Sequence, residues 1–132
     1  MTAILSIYHR IDQPFEEFNG TTILDDLRFA HAYSVVVPVA AETEDGVDLA
    51  ETAFAACGNA PYRISGWEAV QDAHQRARRR SLSVGDIVVV DRPGPTLGTR
   101  HTAAFAVRNA GWKRVPVALT RGRFVTDYPV TH

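Results

Sequence analysis

The densest charge in this 132-residue chain is the run Arg76, Arg78, Arg79 and Arg80. Guanidinium groups clustered near the end of a helix can hold phosphates, and such contacts dominate nucleic-acid affinity. A water-facing surface favoured by the negative end of the helix dipole explains the same residues without a ligand. Arg92, Arg100, Arg121 and Arg123 fall in two predicted loops, and would extend the patch if those loops fold beside the helix. The stretch from Asp91 to Thr102 mixes glycines, hydroxyls and cations, and such loops can cradle anions where successive amides converge. It lacks the Gly-Lys-Ser/Thr ending of a phosphate loop and no helix follows it, so a plain connection between strands is the simpler reading.

The other reactive side chains are dispersed. The histidines are His9, His31, His74, His101 and His132, and none pairs with another at a metal-ligand spacing. Cys57 is the only cysteine, so it can complete neither a cysteine-rich zinc site nor an intramolecular disulfide. No metal and no cofactor is expected. His9, His31 and His74 share predicted faces with apolar residues and read as hydrogen-bonded, partly buried imidazoles. His101, in the glycine-rich loop, is the candidate for exposed chemistry. Asp25-Asp26 and Glu42, Glu44, Asp45, Asp48 are conceivable acid/base or divalent-metal clusters. A strand-entry turn and a helix N-terminus account for them more simply. There is no Gly-x-Ser-x-Gly. Cys57 falls on the inward stripe of a helix at its negative end, which disfavours a thiolate. Trp67 and Trp112 could stack on bases, although a core or interface role is the simpler one. No catalytic residue is assigned.

The charge balance is 14 Lys plus Arg against 15 Asp plus Glu, a net charge of -1. That excludes a protein basic all over and leaves room for a local patch. Thirteen of the 14 basic residues are Arg, with Lys113 alone, which points to coding by a GC-rich genome. Apolar residues make up 45% and charged residues 22%, the mix of a globular domain. One domain spanning residues 1–132 is expected. A chain of this size buries about two-thirds of its unfolded surface and needs no metal or disulfide to fold. The opening residues lack the pattern of a signal peptide, and no apolar run approaches the roughly 20 residues of a membrane helix. A cytoplasmic, non-membrane protein is expected.

The elements that must position these residues follow from periodicity. Ile4 to Ile11 alternates as a strand, with Leu5, Ile7, His9 and Ile11 on one face. A second strand runs from Leu27 to Val39, placing Phe29, His31, Tyr33, Val35, Val37 and Val39 together. Its end, apolar on both faces, suggests an interior strand. Asp45 can cap a helix from Gly46 to Cys57 with Val47, Ala50, Phe54 and Cys57 inward. Ser65-Gly66-Trp67-Glu68 matches a capping box for a second helix ending near Arg80, with Trp67, Val70, His74 and Ala77 inward. Ser83-Val84-Gly85-Asp86 turns into the strand Ile87–Val90, a loop covers Asp91 to Arg100, and Thr102 to Val107 is a strand. Val115 to Leu119 and Phe124 to Tyr128 predict a C-terminal hairpin, about residues 115–130, across Arg121-Gly122-Arg123. Segregated strands and helices favour an α+β domain, a mostly antiparallel sheet with two helices packed on it.

The stretch Arg80-Ser-Leu-Ser-Val-Gly-Asp-Ile-Val-Val-Val90, with Ala104-Phe-Ala-Val-Arg-Asn-Ala-Gly-Trp-Lys-Arg-Val115 after it, forms a core motif over residues 80–115. It resembles the YodL-like domains of phages, plasmids and conjugative elements. Ile7-Tyr8-His9 and Phe18-Asn19-Gly20 fit the actinobacterial versions, while the tail beyond Val115 departs from the pattern. The resemblance implies a small module of mobile-element biology, working against or alongside host defence or DNA-transfer machinery. It transfers no catalytic residues. Ser81, Val84, Gly85, Asp86 and Trp112 read physically as fold determinants.

The leading expectation is a non-enzymatic binding module that engages a host protein or nucleic acid through Arg76, Arg78, Arg79 and Arg80 and the loop residues Arg92, Arg100, Arg121 and Arg123. The alternative is a small enzyme or ligand-binding domain using His101 with Asp91 or the acidic cluster at Glu42 to Asp48. A third reading is a homodimer built on the sheet edge or on the aromatic residues of the C-terminal hairpin.

Overall fold

One sheet with two apolar faces organises the chain. A computed structural model describes residues 2–13, 16–18, 22–38, 46–58, 62–78, 80–94 and 98–126. The elements are β1 (Thr2–Arg10), β2 (Phe29–Pro38), α1 (Gly46–Ala56), α2 (Glu68–Ala77), β3 (Ile87–Pro93), β4 (Arg100–Val107), β5 (Trp112–Val115) and β6 (Val125–Thr126). Short 3-10 turns lie at Leu24–Asp26, Val117–Thr120 and Gly122–Phe124. The strand order is β5-β4-β3-β1-β2-β6, antiparallel throughout except where β6 runs parallel to β2. This is the expected α+β domain with two helices on a mostly antiparallel sheet.

Helix α1 lies over β3 and β4, and α2 over β2. Their face of the sheet presents Leu5, Ile7, Val37, Val88, Val90, Phe105 and Val107 to Leu49, Ala50, Ala53, Cys57, Trp67 and Val70. The opposite face presents Phe29, Ile87, Val89, Ala104, Ala106 and Val115, covered by Phe18, Leu27 and Leu119. Ile87–Val90 is buried on both sides for this reason, as its unbroken apolar run requires.

Several sequence expectations are corrected. Strand β2 does not keep strict alternation. Ile7 pairs with Tyr33 but Tyr8 with His31, so Ala32 is an extra residue, a β-bulge. The bulge turns Phe29 to the face opposite the helices, leaves His31 exposed, and keeps Tyr33, Val35 and Val37 against the helices. Nor is β2 an interior strand along its whole length. β6 pairs only with Phe29 and Ala30, and Val36 is 58% exposed.

The capping box does not form: α2 begins after Trp67 with no side-chain cap. Gln71, which lies outside the predicted inward stripe, is buried and pins the preceding loop, donating to the Tyr62 carbonyl and accepting from the Ile64 amide, both at 3.0 Å. In α1, Phe54 stays 41% exposed while Leu49, Ala53 and Ala56 go inward. The expected cap at Asp45 lies outside the described residues.

The predicted loop at 91–100 gives up both its ends to strands. β3 continues to Pro93 and β4 begins at Arg100, so Arg92 pairs with His101. Finally, the C-terminal hairpin is absent from residues 115–126. After β5 the chain makes two 3-10 turns and reaches β2 at the other side of the sheet. Val117, Leu119 and Phe124 serve as cover for the face that the helices leave bare, a demand local alternation does not reveal. Tyr128, the expected hairpin end, lies outside the described residues.

Candidate functional site

The arginines do not form one ridge. Arg80, read from sequence as part of the patch, is taken up by Asp86. Its Nη1 and Nη2 donate to the two carboxylate oxygens at 2.6 and 2.7 Å. Asp86 also accepts from the backbone amides of Arg10 (2.9 Å) and Ser83 (2.8 Å) and is fully buried. Burial pushes its carboxyl above the usual carboxylate value, against the pull of Arg80 and the two amides. The motif from Arg80 to Asp86 is thus a latch that ties the chain after α2 to β1 and the start of β3. Gly85 sits at φ +89°, and a side chain there would run into the Glu16 carbonyl.

The other cations separate by location. Arg76 and Arg78 are exposed at the end of α2, beside Asp72 and Gln75 in a shallow depression. Arg79 lies outside the described residues. Arg100 donates to Asp91 Oδ1 at 2.9 Å. Arg123 reaches Asp25 at 2.7 Å and lies over the Phe124 ring. Arg121 stands close enough to Tyr8 to act on its hydroxyl electrostatically. These last two belong to the segment that covers the face opposite the helices.

Arg92 is different, because strand alternation puts it on the helix side. Arg92 pairs with His101, Val90 with Ala103, and Phe105 with Arg114, so all six share the face of the sheet that α1 covers. Beyond α1 they line a groove of about 560 Å³ together with Glu51, Thr102, Gly111 and Trp112. Its floor is apolar: Val90, Ala103 and Phe105. Trp112 is its aromatic wall. The indole Nε1 donates to Glu51 Oε1 at 2.7 Å, and Phe54 meets the ring edge-on at 6.2 Å. Arg92 and Arg114 carry the positive charges of the lining, His101 an imidazole and Glu51 a carboxylate. The volume is that of an ordinary small-ligand site. The arrangement suits an anion attached to a flat ring.

His101 is exposed and makes no hydrogen bond to a carboxylate among the described residues. Asp91, the partner expected for it, projects from β3 on the other face, with Ile87 and Val89, and is held by Arg100. Glu42, Glu44 and Asp45 lie outside the described residues, as does the side chain of Asp48. Among the described residues, no three His, Cys, Asp or Glu side chains gather as a metal site. No helix there is long and apolar enough to cross a membrane.

Of the remaining histidines, His9 is fully buried. His74 is buried and hydrogen-bonded to Tyr33, and His31 is exposed, against expectation. Sequence reading missed Arg114 and Glu51 as groove residues. Arg114 sits in register with Phe105, which only the β4–β5 pairing reveals, and Glu51 reads alone as a solvated helix residue. In comparisons with protein-family models, curated proteins and solved structures, nothing matches the chain.

Proposed function

We propose that the protein is a binding module that takes single-stranded nucleic acid in the β3–β4–β5 groove. The observation that carries this reading is the convergence of Arg92, Arg114 and His101 around an apolar floor walled by Trp112. An indole face accepts any base, and guanidinium groups beside it take the phosphates on either side. Arg76 and Arg78, at the end of α2, which packs over β2 on the same face of the sheet as the groove, are a secondary phosphate contact for a strand long enough to reach them. The resemblance of residues 80–115 to YodL-like domains supports a mobile-element setting, in the cytoplasm of a GC-rich host.

The test is equilibrium binding of a short fluorescein-labelled oligothymidine. Trp112→Ala removes a stacking contact worth about 1–3 kcal/mol, and so weakens binding at least several-fold. Arg114→Ala, an exposed change, weakens it without touching the core. Equal binding by wild type and Arg114→Ala, with loss confined to Arg76→Ala and Arg78→Ala, overturns the assignment to the groove.

A further inference from the structure

On the sheet face away from the groove, three successive cross-strand pairs join β1 to β2: Ile4 with Val36, Ser6 with Ser34, and Tyr8 with His31. His31 and Ser34 are three residues apart, so regular alternation would send them to opposite faces. The bulge at Ala32 brings them to the same one. Ser34 Oγ lies 2.8 Å from His31 Nε2 and 2.8 Å from Ser6 Oγ. We infer that Ser34 is a nucleophile, activated by His31 as general base and supported by Ser6, that accepts the acyl group of small esters.

The geometry supplies the nucleophile, the base and the base's support. A hydroxyl has one proton to give. With Ser6 donating to Ser34, the Ser34 proton points at the imidazole, and each bond polarises the next. The Tyr8 ring packs on His31 with centroids 5.1 Å apart and fixes its plane. The Tyr8 hydroxyl is in turn bonded to Thr120, with Arg121 nearby. Desolvation holds His31 below its ordinary value, so near neutral pH it is uncharged and able to take a proton. Ile4 and Val36, 40% and 58% exposed, form an apolar surface one pair along, against which a short acyl chain can lie.

In the step itself, Ser34 Oγ bonds to the ester carbonyl carbon and its proton passes to His31 Nε2. The bond to the alkoxy group then breaks, and the departing oxygen takes that proton. Water repeats the sequence on the acyl-serine, releasing the acid and restoring Ser34.

A fluorophosphonate probe on the intact protein, with the labelled peptide located by mass spectrometry, tests this. Labelling is expected at Ser34 and is abolished by Ser34→Ala. His31→Gln slows it by roughly a hundredfold, the usual contribution of a positioned base. Ser6→Ala slows it several-fold. The wild-type rate rises with pH through a midpoint below the ordinary histidine value of 6.5. Arg114→Ala leaves labelling unchanged, separating this site from the groove. Labelling of Ser34 no faster than in denatured protein, or an unchanged rate in His31→Gln, overturns the inference.

Discussion

Asp86 collects four hydrogen bonds in a fully buried position, two of them from a guanidinium that is itself mostly shielded. Removing the carboxylate strands Arg80 and two amides, so Asp86→Ala should lower folding stability by about 3 kcal/mol, read as a fall in the urea midpoint. Gly85→Ala forces a side chain into the left-handed region and against the Glu16 carbonyl, and should cost about 2 kcal/mol in the same assay. If either variant matches the wild type, the latch is not what holds this corner together. The sequence marks Gly85 and Asp86 as turn formers and fold determinants, and so they are. It does not show that Arg80 is spent on Asp86, because a bond across a tight turn leaves no periodic trace. A charge run therefore looks like a surface even when one member is structural.

At the level of elements, α2 is held to β2 by a buried polar contact. The Tyr33 hydroxyl donates to Cys57 Sγ at 2.9 Å and meets His74 Nδ1 at 2.8 Å. Burial pushes the Cys57 thiol up to about 11, so alkylating reagents should modify it only as fast as the protein opens. Burial also lowers His74 below its ordinary 6.5. Above that pH both folded and unfolded chains carry it neutral, and stability is complete. As the pH falls from 6.5 toward the folded value, the unfolded chain gains a proton that the folded one refuses, and stability is lost. His31, lowered by the same cause, adds to the loss. The urea midpoint should drop as the pH falls below 6.5, and His74→Gln should shrink the drop. An equal drop in the variant would remove His74 from the account. His74 was legible as an inward imidazole because α2 keeps helical spacing to its end. His31 was not, because one inserted residue reverses the face of everything before it in β2, and alternation alone carries no sign of a bulge.

Across the whole molecule, the α+β architecture follows from an order in which helices interrupt strands once and then cease. The C-terminal segment was illegible for a global reason. Two helices cover only one side of a six-stranded sheet, and Val117, Leu119 and Phe124 are drawn across the other side instead of forming a hairpin. The same global arrangement divides the arginines. Those at the α2 end, those on the covering segment and those in the groove occupy three places, and only the last surround a concavity with an aromatic wall. The central claim is that this groove binds a phosphate chain. Its most direct measurement is the salt dependence of oligothymidine affinity. Two phosphates neutralised by Arg92 and Arg114 give a slope of log affinity against log salt of about -1.4, which Arg114→Ala should reduce to about -0.7. A slope near zero, or one that Arg114→Ala leaves unchanged, would contradict it.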